Sequence, residues 1–164
     1  MIMNIEYRKL LPEESKMYRK IRLESLEKFP EAFGANYQDA LKIEKFRIEE
    51  DIENELPERF VFGAFSDGDL IGICTFVKDE NQRGNLYQMY VKKDFQGKNI
   101  GYELIRRIIN EIRGHFNDLE IFLEVAPHNE KAYSLYRKTG FKEVVNKTGG
   151  SANGSTMMQY FIEN

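Results

Sequence analysis

The chain has 164 residues, with 24 Lys and Arg against 27 Asp and Glu, a formal net charge of −3, and one cysteine. That length suits a single domain, at roughly 100–200 residues per domain, and is enough to bury a core without covalent staples. The composition excludes an internal disulfide and a cysteine-based zinc site, argues against nucleic-acid binding, which favours basic chains, and, with 12 Phe and 9 Tyr, argues against disorder.

In chain order, residues 2–10 read as a first strand. Pro12 with Glu13 and Glu14 suits the first turn of a helix, where a missing N–H is harmless and acids meet the positive dipole end. Met17, Tyr18 and Ile21 continue it, and the stretch from Phe29 to Gly34 breaks it. A second helix is expected over 37–53, with poor apolar periodicity. Residues 59–65 and 70–77 read as strands joined by Ser66-Asp67-Gly68-Asp69, whose Asp-Gly pair suits a tight hairpin. Residues 85–91 form another strand. Helix 101–113 has the clearest pattern, with Leu104, Ile105, Ile108, Ile109 and Ile112 on one face and Gly114 as its stop. Residues 119–125 form a strand. Asn129 caps a short helix that carries Ala132, Leu135 and Tyr136 and ends at Gly140. Strands 141–145 and 157–162 close the chain around a glycine-rich, mobile segment at 146–155. The order β-α-α-β-β-β-α-β-α-β-β describes an α+β, or mixed α/β, sheet domain.

The chain opens without a basic-then-apolar leader, and its most apolar stretch, 70–77, falls far short of the ~18 residues of a membrane helix. A soluble, cytoplasmic protein that uses neither membrane nor nucleic acid is therefore expected. On that basis the glycosylation-type triplets at Asn146 and Asn153 read as chance.

Chemistry concentrates after strand 85–91. Gln96-Gly97-Lys98-Asn99-Ile100-Gly101 joins a strand to a helix, and such a turn offers unpaired N–H groups to a pyrophosphate. It matches neither the P-loop nor the dinucleotide-binding fingerprint. A second block follows: Leu123-Glu124-Val125, then Asn129-x-x-Ala132-x-x-Leu135-Tyr136-x-x-x-Gly140-Phe141. Cys74 lies in an apolar strand, which favours burial over nucleophilic work. His115 and His128 read as loop histidines, no carboxylate–histidine set has metal spacing, and Ser151 lacks a hydrolase elbow.

In order and separation, the two blocks resemble the GNAT superfamily of N-acetyltransferases. The first resembles its Q/R-x-x-G-x-G/A loop, with Asn99 where the family usually has a glycine; asparagine tolerates the left-handed backbone better than most residues. The resemblance implies a splayed, mostly antiparallel sheet of about seven strands flanked by four helices, with acetyl-CoA as co-substrate. Backbone at Met89, Tyr90 and Val91 would pair with the pantetheine arm. N–H groups of Gln96, Gly97, Lys98, Asn99, Ile100, Gly101 and Tyr102 would hold the pyrophosphate, with Lys98 adding charge. Asn129 would reach the pantetheine arm, and it also suits a plain N-cap.

Acyl transfer to an amine needs a base for the amine and an acid for the leaving thiolate. Tyr136 matches the family's acid, with a core aromatic beside Leu135 as the other reading. Glu124 resembles the base of the ribosomal-protein alanine N-acetyltransferase branch. A solvated strand-end acid, or a water relay through Tyr87 or Gln88, is the alternative. The Met89 N–H would hold the oxyanion. Direct transfer in a ternary complex follows, since Cys74 suits no acyl-cysteine step. A catalytically weak acyl-CoA-binding sensor is the competing reading, and homodimers are common in the family.

Charge is uneven: residues 44–58 hold seven acids and two bases, and residues 91–113 hold six bases and three acids. The basic stretch contains the phosphate loop. The acidic stretch suggests a cationic acceptor, such as a polyamine, an aminoglycoside-like amine or a peptide amino terminus, or an ordinary solvated helix face. Residues 29–35 and 149–155 are the expected acceptor walls.

Overall fold

The computed structural model describes residues 4–29, 36–144 and 154–162. Strand β1 (Ile5–Lys9) leads through a 3₁₀ turn at Pro12–Glu14 into helix α1 (Ser15–Lys28). The Glu14 carboxylate fixes that entry, accepting from the Leu11 N–H at 2.7 Å and from both terminal nitrogens of Arg8 at 2.8 Å.

The helix expected over 37–53 is instead two, α2 (Tyr37–Leu41) and α3 (Arg47–Glu53). Asn36 caps the first, accepting from the Asp39 N–H at 3.1 Å. Phe46 is extended (φ −70°, ψ 149°) and opens the second, donating its N–H to Glu49 at 3.2 Å. This break makes five α-helices among the described residues, where four are expected.

Strands β2 (Arg59–Ser66) and β3 (Asp69–Lys78) form the hairpin expected from Asp67-Gly68. Both turn residues have positive φ, 50° and 85°, as a type I′ turn requires. Then come β4 (Gly84–Val91), a 3₁₀ turn at Lys93–Phe95, α4 (Ile100–Arg113), β5 (Glu120–Val125), α5 (Glu130–Thr139), β6 (Lys142–Glu143) and β7 (Thr156–Phe161). The strand expected over 141–145 is shorter. Gly140 turns left-handed (φ 110°) to close α5, and the Phe141 N–H is used by Tyr136 O. Residues 145–153, including Asn146, Ser151 and Asn153, lie outside the described residues, as do 1–3 and 30–35.

Among the described residues one sheet of seven strands runs β1-β2-β3-β4-β5-β7-β6. Every pairing is antiparallel except β4 with β5. The fold is thus mixed α+β, with a mostly antiparallel open sheet. Strands β4 and β5 pair only at Gly84 with Ile121 and Asn85 with Phe122. Beyond Asn85 they diverge and open a gap in the middle of the sheet.

Apolar side chains fill both faces. On one, the stripe of α4 from Leu104 to Ile112 packs on Phe60, Phe62, Cys74, Ile121 and Met158. On the other, Tyr18 and Ile21 of α1 and Ile48 and Ile52 of α3 pack on Val61, Ile73 and Tyr90. Alternation along the strands feeds the two layers and fixes the register.

Candidate active site

The gap between β4 and β5 holds two chambers that share Met89, Asn129, Ala132 and Leu135 in their walls. The first, about 370 Å³, is lined by Met89, Tyr90 and Val91 from β4 and by Gln96, Gly97, Asn99, Ile100, Gly101 and Tyr102 from the loop and helix start. Lys98 is exposed and is not among the lining residues.

Loop shape follows from two left-handed residues, Gly97 (φ 78°) and Asn99 (φ 67°, ψ 12°). Asparagine thus takes the conformation that glycine usually supplies. The Gln96 N–H is used by Lys93 O at 3.2 Å, and its side chain donates to Val91 O at 2.8 Å. Gln96 therefore shapes the turn, and its N–H is not available to a phosphate. The first-turn N–H groups of α4 have no intrahelical acceptor and carry the positive end of the helix dipole. Gly101 allows α4 to sit close: a Cβ there would lie 3.1 Å from Met89 Cε and 3.3 Å from Leu135 Cδ2. Asn129 is an N-cap, accepting from the Ala132 N–H at 3.2 Å, and its side-chain NH₂ remains as a donor in the wall of both chambers.

The second chamber, about 500 Å³, brings together Glu124 from β5, Tyr136 from α5, Tyr87 and Gln88 from β4, Arg22 from α1, and Ser155. Tyr136 is 8% exposed, and burial holds its phenol protonated well above the ordinary range. Burial also raises the Tyr87 phenol, with Asp79 and Glu124 adding to the effect. Cys74 sits in the same wall, fully buried, with its thiol pushed up to about 12 by desolvation. It is therefore a thiol and not a nucleophilic thiolate.

A bulge in β4 shapes the floor. Gln88 has φ 58°, and the register shifts opposite it between Ile73 and Thr75. Its Oε1 accepts from Tyr18 Oη at 2.7 Å and from Thr75 Oγ at 3.0 Å. The side chain is anchored in the core, and the bulge lies next to Met89, which lines both chambers.

Other expected features fall elsewhere. Glu49 is fully buried, held by Lys16 at 2.7 Å and Arg19 at 3.0 Å, and Asp51 pairs with Arg59 at 2.7 Å. Glu49 and Asp51 are thus internal ion-pair partners, whereas Glu44, Glu50, Glu55 and Glu58 of the same stretch are exposed, as a solvated face would have them. Phe29, expected as an acceptor wall, lines the first chamber beside Tyr90, with ring centroids 5.7 Å apart. His115 pairs with Glu111 at 2.8 Å. Among the described residues no cluster of potential metal ligands occurs, and no helix is long and apolar enough to cross a membrane. The sequence reading passed over Arg22. Its trace was a basic residue on the face that also carries Tyr18, Ser25 and Leu26, all buried.

The sequence profile of the Acetyltransferase (GNAT) family matches residues 20–141. The chain belongs to that family. Among GNAT relatives, it is 24% identical over 87 residues to a probable spermine N(1)-acetyltransferase of Bacillus subtilis subsp. natto, covering 49% of this chain and 57% of that one. It is 31% identical over 91 residues to the N-alpha-acetyltransferase RimI of Mycobacterium tuberculosis, covering 54% and 55%. The chain thus spans little more than half the length of these curated relatives. The PaiA N-acetyltransferase of Thermoplasma acidophilum, solved with coenzyme A, superposes with a TM-score of 0.75 at 25% identity, covering 97% of this chain and 99% of that one. Acetyl-CoA is the family's co-substrate, and this GNAT chain has the features to hold it: an unpaired β4 edge, two left-handed loop residues, and a glycine at the helix–strand contact.

Proposed function

We propose that residues 1–164 form one acetyltransferase domain that moves the acetyl group of acetyl-CoA onto an amine by direct transfer. The observation that carries this reading is the splayed gap itself, with the glycine loop at one end and Glu124 and Tyr136 lining the other. Acetyl-CoA, when bound, supplies an activated thioester. N–H groups from Gly97 to Tyr102 hold its pyrophosphate, and the β4 edge with Asn129 holds its pantetheine arm. The Met89 N–H, next to the bulge at Gln88, donates to the thioester oxygen. Glu124 takes a proton from the acceptor amine as its nitrogen bonds to the acetyl carbon. The carbon–sulfur bond breaks, and Tyr136 gives its proton to the departing thiolate. The place of Tyr136 in the chamber wall supports the acid role. The acceptor is a small-molecule or peptide amine, neither nucleic acid nor membrane; the protein works in the cytoplasm, alone or as a homodimer.

The test is release of free thiol from acetyl-CoA across a panel of amines. Turnover supports an enzyme. Tight acetyl-CoA binding with no turnover for any amine would support a sensor instead.

A further inference from the structure

Two amide side chains line the second chamber, Gln88 from β4 and Asn129 ahead of α5, and both turn their oxygen into the protein. At Gln88 the orientation is forced. Tyr18 and Thr75 are 1% and 0% exposed, so water does not serve their hydroxyls. Among the described residues Gln88 Oε1 is the acceptor that each has, at 2.7 and 3.0 Å. An amide turned the other way would leave two buried hydroxyl protons without an acceptor. The Gln88 oxygen is therefore committed, and the NH₂ group is what remains. It has no hydrogen-bond partner among the described residues, and no unpartnered polar side-chain atom among them is buried. Gln88 Nε2 is thus open, and the space that Gln88 borders is the second chamber.

A donor whose oxygen is spent can pair only with an acceptor. A protonated polyamine carries donors alone and would leave this NH₂ unpaired once water is displaced. A carbonyl oxygen, with two lone pairs and no proton of its own, is its match. We infer that the acceptor is an aminoacyl amine, a peptide amino terminus or an amino-acid amide, whose carbonyl accepts from Gln88 Nε2. Tyr18 and Thr75 are the positioning residues that hold that donor. This rests on the acetyltransferase reading for the reaction, but its binding claim is separable.

The experiment compares leucinamide with leucinol and 3-methylbutylamine, and phenylalaninamide with 2-phenylethylamine, with spermidine as the polycation. Thiol release gives kcat/KM, and calorimetry on the CoA-saturated protein gives affinity. The quantity read is the ratio of each amide to its carbonyl-free counterpart, because the amines' own reactivity cancels when variant and parent are compared. Gln88→Glu keeps an oxygen for both hydroxyls and puts a second oxygen where the NH₂ stood. Gln88→Gly suits the positive φ and removes the side chain. Each should lower the ratio about tenfold. Tyr18→Phe with Thr75→Val frees the amide to turn and should lower it by less. Coenzyme A binding and circular dichroism show that each variant folds. A ratio unmoved by Gln88→Glu and Gln88→Gly, an equal loss for amides and plain amines, leucinol used or bound as well as leucinamide, or spermidine preferred would overturn the inference while leaving the acetyltransferase reading intact. Amides bound through Gln88 with no thiol released would uphold it and overturn the enzyme.

Discussion

The two ends of the cleft are built from different materials. The end proposed to hold the cofactor is mainly backbone: a β4 edge, left-handed Gly97 and Asn99, and the first turn of α4. The end proposed to hold the acceptor is mainly side chains from four elements, Arg22, Gln88, Glu124 and Tyr136. Backbone recognition depends on conformation and tolerates any residue that can adopt it, as Asn99 illustrates. Side-chain recognition depends on identity, so that end sets chemistry and selectivity.

Substitutions at the two ends should therefore fail differently. The largest effect is expected for Tyr136→Phe, which keeps the ring in the core and removes the acid. Turnover should fall by about 10²–10⁴-fold, with coenzyme A affinity by calorimetry little changed. Loss of affinity together with turnover would place Tyr136 at the cofactor end. Glu124→Gln should cost about 10²-fold in thiol release; retained activity would shift the base role to a water held by Tyr87 or Gln88.

Away from both ends, Glu49→Gln leaves Lys16 and Arg19 without their buried partner. It should lower stability by about 3 kcal/mol, or about 6–12 °C in Tm, with KM for the amine unmoved. A changed KM would return the acidic stretch to the acceptor site. Burial alone would raise the Glu49 carboxyl, but hydrogen bonds from Lys16 and Arg19 hold it below its ordinary 4.5, as Arg8 does for Glu14. A carboxyl lowered by folding stabilises fully above its unfolded value, and that contribution is lost as pH falls through the folded one. Melting temperature should therefore decline below about pH 4.5, with a shallower decline in Glu49→Gln. The smallest effect belongs to Asn99→Val, which forces a β-branched residue to φ 67°. At about 1–2 kcal/mol, coenzyme A should bind about 5–30-fold more weakly, with Tyr136 chemistry intact.

The same contrast decided what could be read from the sequence. Strand order, the Asp-Gly hairpin, the α4 stripe and the glycine turn are local patterns, and the structure carries them. Helix 37–53 failed because propensity is continuous across Lys42 to Phe46, whereas the caps at Asn36 and Phe46 are not. Glu49 and Asp51 looked like surface because their partners Lys16, Arg19 and Arg59 lie on other segments. Arg22 and the bulge at Gln88 were hidden for the same reason. Their place is set by neighbours on other elements, which chain order does not show.

The seam between β4 and β5 has a mechanical consequence. Two residue pairs join the two halves of the sheet, and beyond them the connection is made by α4, whose buried face contacts both. Strands β5, β7 and β6 can therefore open as a separate cooperative unit, with amide hydrogens that exchange faster than those of β2 and β3. A ligand that spans the seam from β4 to α5 ties that unit to the rest, so occupancy of the cleft becomes a property of the whole sheet's cohesion.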